Sequence, residues 1–333
     1  MKRTLLIPVI LAMAVVLGAC VNKATNNAAN NTAANTATNG AANGATSNGA
    51  AAQNDNAASE EASGTITYAS ETGDVQVPAN PQRIVALTNA PNVISLGGKL
   101  VGVDEWTNKN PLFTDKLAGV QVVSDSDLEK IVELDPDLII GSPDSKNLAK
   151  LKEIAPTVVY TWGKLDYLNQ QLEIGKLLNK EKEAQAWMDD FKQRANAIGK
   201  EVKAKIGENA TVSVFETDSR SFYVFGDAWA RGTEVLYQTM GLKMPEKVKA
   251  DTLSEGYHTL SSEVLSQYAG DWIVLSRSTA ADNSFMNTDS WKNIPAVKNN
   301  HVIVIDTEAS TYSDPTTLEY LLNIFKEAFL GSK

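Results

Sequence analysis

The sequence predicts an α/β fold of two Rossmann-like α/β lobes joined by a single long connector helix. Three observations carry this expectation. Short β-branched runs alternate with helix-period segments, the pattern of mostly parallel sheets whose strands are buried on both faces. One long helical pattern separates two groups of these runs. A short motif recurs once in each group. The 333 residues, 43% of them hydrophobic, can bury a substantial core and suit about two domains.

Taken in order, Lys2 and Arg3 precede an apolar run over 5–17 and then small residues, the layout of a secretory signal peptide over 1–19. The run falls short of the roughly 20 apolar residues that span a bilayer. Leu17-Gly18-Ala19-Cys20 is similar to the lipobox of bacterial lipoproteins, in which the cysteine is diacylated and becomes the new N-terminus. Two acyl chains give a stable anchor where one is marginal, so the expected location is extracytoplasmic, tethered to the cell membrane through Cys20. Cys20 is the only cysteine, which rules out disulfides within the chain, thiolate zinc sites and a catalytic thiol in the folded part. Residues 21–63 are mostly Asn, Ala, Thr and Gly without hydrophobic periodicity. They predict, with the lipidated Cys20, a disordered tether over 20–63 with a span of about 30–40 Å.

The folded part is expected as an N-terminal lobe over 64–179, a connector over 180–206 and a C-terminal lobe over 207–333. Residues 65–68 and 74–77 flank Thr72-Gly73 and read as a small hairpin. Strand-like runs follow at 84–87, 100–103, 138–140, 157–160, 212–215, 222–225, 272–275 and 302–305. Between the two groups, Ala184, Trp187, Met188, Phe191, Ala195, Ile198 and Val202 recur at three- and four-residue steps, interrupted only by Gly199. Such a helix is about 40 Å long, the size of a lobe.

The recurring motif is Leu128-Glu129-Lys130-Ile131, with Asp137-Leu138-Ile139-Ile140 beginning eight residues after its Glu. Ser262-Glu263-Val264-Leu265 and Asp271-Trp272-Ile273-Val274 repeat the offset. Each pair reads as a helix with a Glu in its first turn, favourable with the macrodipole, leading into a buried strand.

The formal net charge of −10, without a basic block, removes the driving force for phosphate neutralisation and argues against nucleic-acid binding. Two histidines, His258 and His301, lie in unrelated segments and cannot supply a zinc or manganese cluster. The pairs Asp125/Asp127 and Asp135/Asp137 are the basis for a rival reading as an exported carboxylate-dependent hydrolase. Their places at the starts of a helix and a strand fit turns and caps better. A purely adhesive or scaffolding lipoprotein is a third reading.

Several motifs together resemble a known family. They are Asn80-Pro81-Gln82-Arg83-Ile84-Val85, Asp135-Pro136-Asp137-Leu138-Ile139-Ile140, Ile154-Ala155-Pro156-Thr157-Val158-Val159, Gly226-Asp227-Ala228-Trp229-Ala230-Arg231-Gly232 and Trp291-Lys292-Asn293-Ile294-Pro295-Ala296-Val297. They are similar to those of class III periplasmic-binding-protein-like lipoproteins, the substrate-binding components of ABC importers for iron siderophores, cobalamin or haem. The Gly-Asp-x-Trp-x-Arg-Gly stretch is the pointer to the ferric hydroxamate binders among them. The resemblance implies a monomer that binds an iron(III)-hydroxamate siderophore in a ligand cleft between the lobes, performs no catalysis and delivers its cargo to an ABC permease with its ATPase. By position it makes Glu129 and Glu263 the residues that dock into arginine pockets of the permease.

Ligands of open α/β sheets bind beyond the carboxyl ends of strands. Trp162, Trp229 with Arg231, and Tyr312 follow strand-like runs, and Trp106 and Tyr160 are further candidates for the same cleft. A hydroxamate siderophore fills the coordination sphere of its iron, so no metal ligand or cofactor is expected from the chain. The site needs an aromatic bowl and a donor for hydroxamate oxygens, a task that suits the planar fork of Arg231. Outside the leader the arginines are Arg83, Arg194, Arg220, Arg231 and Arg277. So few favour a neutral or cationic complex over strongly anionic catecholate or citrate complexes. Cobalamin and haem remain as other cargoes.

Overall fold

The N-terminal lobe is built on a sheet of five strands, β3 (Ile84–Ala86), β4 (Leu100–Val103), β5 (Gln121–Val122), β6 (Leu138–Gly141) and β7 (Thr157–Val159), preceded by a hairpin of β1 (Thr65–Ser70) and β2 (Gly73–Pro78). These come from a computed structural model that describes residues 64–217, 221–278 and 280–331. The expected signal peptide, the lipidated Cys20 and the tether lie outside the described residues. The five strands run in the order β5-β4-β3-β6-β7, and all neighbours are parallel. Alternate residues serve two cores. Ile84, Ala86, Leu138, Ile140 and Val158 pack on one side, and Val85 and Ile139 pack with Ile131 and Leu151 on the other. That is the period of two expected of strands covered on both faces.

The C-terminal sheet comprises β8 (Val212–Thr217), β9 (Phe222–Phe225), β10 (Tyr257–Leu260), β11 (Trp272–Arg277) and β12 (Val302–Asp306). Its order, β10-β9-β8-β11-β12, repeats that of the first sheet. Its directions do not. β8, β11 and β12 are parallel, while β9 is antiparallel to both β8 and β10. Only four positions separate β8 from β9, far fewer than a parallel crossover needs, so the second strand has to turn back. The expectation of mostly parallel strands thus holds throughout one lobe and for three strands of the other.

The internal echo has a structural basis. Asp137, at the start of β6, accepts hydrogen bonds from the backbone N–H groups of Gln82 (2.6 Å) and Arg83 (2.9 Å), just before β3. Asp271, at the start of β11, accepts from Thr211 N–H (2.8 Å) and its hydroxyl (2.9 Å), just before β8. Each lobe therefore uses one carboxylate to tie together the beginnings of its two central strands. Charge-assisted bonds of this kind are stronger than neutral ones.

The long helix spans Glu181–Ile206. Ala184 packs into the N-terminal core, whereas Met188, Phe191, Ala195 and Val202 pack into the C-terminal core with Leu318, Leu321, Leu322 and Phe325 of the final helix, Pro315–Leu330. Arg194 and the Trp187 indole N–H both reach Glu319 on that final helix, at 2.9 and 3.1 Å. The helix is thus mostly a wall of the C-terminal lobe. Gly199 is required by a close approach: a Cβ there would lie 2.1 Å from the Met240 carbonyl oxygen. Met240 follows a π-helical turn over Glu234–Thr239, a feature frequent at functional sites.

Candidate functional site

On the N-terminal lobe the loops after β4 and β7 carry exposed aromatic rings. Trp106 is 72% exposed and Trp162 77% exposed. Trp106 rides on a short helix, Glu105–Lys109, whose N-cap Asp104 accepts the Thr107 N–H at 2.9 Å. Trp162 is held by its neighbour: Glu71 in the hairpin turn accepts both the N–H (3.1 Å) and the hydroxyl (2.6 Å) of Thr161, and Lys164 pairs with the same carboxylate at 3.3 Å. These bonds hold the Glu71 carboxyl below its ordinary range against a desolvation that raises it.

Tyr160 corrects the reading of the sequence. It is buried in the N-terminal core, and its hydroxyl meets that of Tyr68 at 2.8 Å. Burial, with the nearby Tyr68 hydroxyl, pushes the phenol well above its ordinary range. β7 ends at Val159, and Tyr160 turns inward to anchor the hairpin instead of lining a cleft.

The C-terminal lobe contributes a polar assembly. Glu216 stands near the end of β8 and receives Arg231 through two bonds, Nε at 2.8 Å and Nη2 at 2.9 Å. Both side chains are mostly buried, at 18% and 13% exposure for Arg231 and Glu216. The Arg231 guanidinium carbon lies 5.4 Å from the centre of the Phe225 ring. The expected route to this place differs from the observed one. Because β9 is antiparallel to β8, the loop after it does not begin at the carboxyl edge of the sheet. The chain returns to that edge through Ala230 (φ 56°) and Arg231 (φ 53°), left-handed conformations costly for non-glycine residues.

Three groups hold this return. Arg231 N–H donates to the Ser310 carbonyl at 2.8 Å. The Thr233 hydroxyl accepts the Trp229 N–H at 2.9 Å, and Glu234 accepts the Ala230 N–H at 3.0 Å. Glu234 is buried, and desolvation pushes its carboxyl up despite these bonds. Glu216, Thr233 and Glu234 were not among the site residues expected from the sequence. The last two adjoin the Gly-Asp-x-Trp-x-Arg-Gly motif, which is the signal that pointed nearby.

Trp229 is half-buried and packs against Tyr257 of β10, with ring centres 5.0 Å apart. Gly256 makes room for it, since a Cβ there would lie 2.3 Å from the indole. Tyr257 itself continues to Tyr223 at 6.1 Å, an aromatic wall the sequence reading missed because β10 is a short edge strand of alternating Tyr, His, Thr and Leu.

The two lobes meet through these residues. Trp162 stands edge-on to Trp229 with ring centres 5.0 Å apart. Tyr312, half-buried, reaches from the C-terminal lobe to the Thr107 hydroxyl (3.1 Å) and the Asp104 carboxylate (3.3 Å). Burial, with the nearby Asp104 charge, raises its phenol above the ordinary range. The structure therefore brings Trp162, Trp229 and Arg231 to one interlobe region, makes Tyr312 an interlobe tie and leaves Trp106 exposed above that tie on the helix that Asp104 caps.

Glu129 lies exposed in the first turn of a helix, Leu128–Glu133, and Glu263 lies exposed in the turn Ser262–Val264. The Ser261 hydroxyl, with Glu263's own backbone N–H, lowers the Glu263 carboxyl. Among the carboxylates behind the hydrolase reading, Asp127 accepts the Ser124 N–H and hydroxyl at 2.8 and 2.7 Å, Asp137 accepts the Gln82 and Arg83 N–H groups, and Asp125 accepts the Ser145 hydroxyl at 2.6 Å. Among the described residues no group of three His, Cys, Asp or Glu side chains is placed to hold a metal, and no helix is long and apolar enough to cross a membrane. A groove of about 720 Å³ lies at the other end of the C-terminal sheet, beside Thr211, Trp272 and His301, away from the interlobe aromatics.

Two like-ordered α/β lobes, one long helix and aromatic side chains converging between the lobes define a two-lobe substrate-binding protein. The chain belongs to the periplasmic binding protein family, which it matches over residues 84–309. It is 33% identical over 272 residues to the iron(3+)-hydroxamate-binding protein FhuD of Bacillus subtilis (strain 168), covering 79% of this chain and 86% of that one. It is 34% identical over 273 residues to the iron(3+)-hydroxamate-binding protein YxeB of the same organism, covering 79% and 85%. Among solved structures, FhuD2 from Staphylococcus aureus with bound ferrioxamine B is similar at 36% identity and a TM-score of 0.72, over 75% of this chain and 98% of that one.

Proposed function

We propose that this chain is an extracytoplasmic substrate-binding lipoprotein that captures a ferric hydroxamate siderophore and delivers it to an ABC importer for iron uptake. The observation that carries this reading is the meeting of Trp162 and Trp229 across the lobes in a chain whose Arg231, on the same loop as Trp229, is held with one guanidinium nitrogen outside its ion pair. The rings offer apolar, polarizable surface to the siderophore backbone, and Arg231 Nη1 donates to hydroxamate oxygens. The names of FhuD and YxeB support the same cargo.

Iron arrives with its coordination sphere filled, so the chain supplies no metal ligand and makes or breaks no bond. Trp106 extends the apolar surface on the N-terminal side, while Tyr312 holds the lobes in place. The long helix, packed along most of its length into one lobe, restrains hinge closure. Delivery runs through Glu129 and Glu263, one exposed carboxylate on each lobe, to cationic pockets of the permease. Cys20 carries the lipid anchor, and the protein acts as a monomer.

The test is a tryptophan-fluorescence titration of the purified protein with ferrichrome, ferrioxamine B, a ferric tricatecholate, haem and cobalamin, with inner-filter controls. Saturable quenching by the ferric hydroxamates at submicromolar concentration, with little from the others, is the expected result. Tight binding of cobalamin, haem or the catecholate alone keeps the transport role and replaces the cargo. Binding of none of the five contradicts the proposal.

A further inference from the structure

Glu216 is the hub of the polar assembly on the C-terminal lobe. Oε1 and Oε2 accept the two bonds from Arg231, and Oε2 also accepts the Ser276 hydroxyl at 2.6 Å. Ser276 in turn meets the Thr307 hydroxyl at 2.9 Å. The chain of contacts fixes the guanidinium plane and commits Nε and Nη2, so that Nη1 is the nitrogen outside the pair. It also cancels the charge of Arg231 at its source, with both side chains mostly out of water, where charges act strongly. Asp306 and Glu308, on the strand end and turn that carry Thr307, place further negative charge at the same edge. Among the described arginines, Arg277, at the end of β11, has Nη1 3.8 Å from Met286 Sδ, and Met286 packs with the core on the opposite face of the sheet.

We propose that Glu216 is the residue that sets charge selectivity in the cleft. By neutralising Arg231 it leaves the Nη1 N–H groups for the oxygens of an uncharged ferric complex and denies the site the net positive charge that an anionic ferric complex requires. A ferric trihydroxamate suits this arrangement because its three hydroxamate anions match the charge of iron(III). A ferric tricatecholate, triply negative, meets an edge where, among the described residues, Asp306 and Glu308 have no salt-bridge partner and Arg231 is already paired with Glu216. Glu216 acts here through Arg231 and through the field, as a positioning and selectivity residue. The inference rests on the functional reading above and adds to it a residue and a mechanism of discrimination.

A charge series tests it. The ratio of tricatecholate Kd to ferrichrome Kd is measured by fluorescence titration for the wild type, Glu216→Gln, Arg231→Gln and the double variant. Relative to the wild type these change the local charge by plus one, minus one and zero. The ratio should fall about tenfold or more in E216Q, rise in R231Q and return toward the wild-type value in the double variant, even though affinity for both ligands drops when Arg231 is lost. The E216Q shift should also shrink in high salt. A merely structural role for Glu216 would weaken both ligands together and leave the ratio unchanged, which overturns the inference. So does a ratio that falls in E216Q and is not restored in the double variant. If one single variant does not fold, as judged by circular dichroism, the remaining variants must still rank by charge. Failure of the wild type to bind ferrichrome overturns the functional reading itself, a result visible before any variant is compared.

Discussion

Trp162 and Trp229 touch each other across the lobes, yet one is 77% exposed on a loop of the N-terminal lobe and the other is wedged against Tyr257 over Gly256 in the C-terminal lobe. The same contrast runs through the rest of the site. Trp106 is exposed on its short helix, whereas Arg231 is locked by Glu216, by the Ser310 carbonyl and by a left-handed backbone that Thr233 and Glu234 stabilise. Two lobes with the same strand order thus contribute different materials. In the proposed site one offers apolar surface that costs little to present, and the other offers a preorganised polar anchor. Preorganisation reduces the ordering cost of binding. It also ties the anchor to the stability of the lobe that carries it, so mutations on the two sides should separate binding from folding.

The largest effect is expected from Arg231→Ala. It strands Glu216 in a mostly buried site and should lower stability by about 3 kcal/mol in urea unfolding, with loss of ligand binding. Trp229→Ala should come next, costing about 2 kcal/mol of stability through lost packing on Tyr257 and weakening the ligand as well. Trp162→Ala should leave the unfolding midpoint nearly unchanged, within about 0.5 kcal/mol, and weaken ferric hydroxamate binding about tenfold. A large stability loss in the Trp162 variant would erase the distinction between the lobes.

Glu234→Gln sharpens the comparison through pH. Burial raises the folded-state carboxyl above its ordinary 4.5, so the fold favours the protonated form. The stability contributed by Glu234 is fully present below 4.5 and is lost as pH rises through the higher folded-state value. Relative to the wild type, E234Q should gain stability with rising pH over that interval, measured by thermal melts in a pH series. A difference that does not change with pH would remove Glu234 from this role. The smallest effect on the isolated protein is expected from Glu129→Ala combined with Glu263→Ala. Both side chains are exposed, so stability and ligand affinity should hold while uptake in cells falls. Normal uptake by the double variant would contradict the docking assignment.

The sequence made the repeated lobe plan readable because Ile84, Leu138, Ile139, Val212, Val274 and their neighbours are continuous apolar runs with one meaning in an α/β protein. The long helix was legible for the same reason, and even its one anomaly, Gly199, has a packing cause. β5 and β10 were hidden: two residues make no pattern, and Tyr257 to Leu260 form an edge strand with half their side chains in solvent. The motif around Trp229 and Arg231 located the polar anchor but not its partner. Glu216 lies on β8, 15 residues before Arg231, and no local spacing announces an ion pair formed by a chain reversal. Tyr160 misled because its position directly after a strand is the position of a cleft residue. Only the docking of the hairpin, through Tyr68, reveals that it faces the core.

The most direct test of the account is to titrate wild type and Trp162→Ala with ferrichrome in parallel with their urea unfolding curves. The account predicts coincident unfolding and binding weakened about tenfold in the variant. Unchanged affinity for ferrichrome in Trp162→Ala would contradict it, because the ring that the N-terminal lobe leaves exposed beside Trp229 would then have no part in holding the ligand.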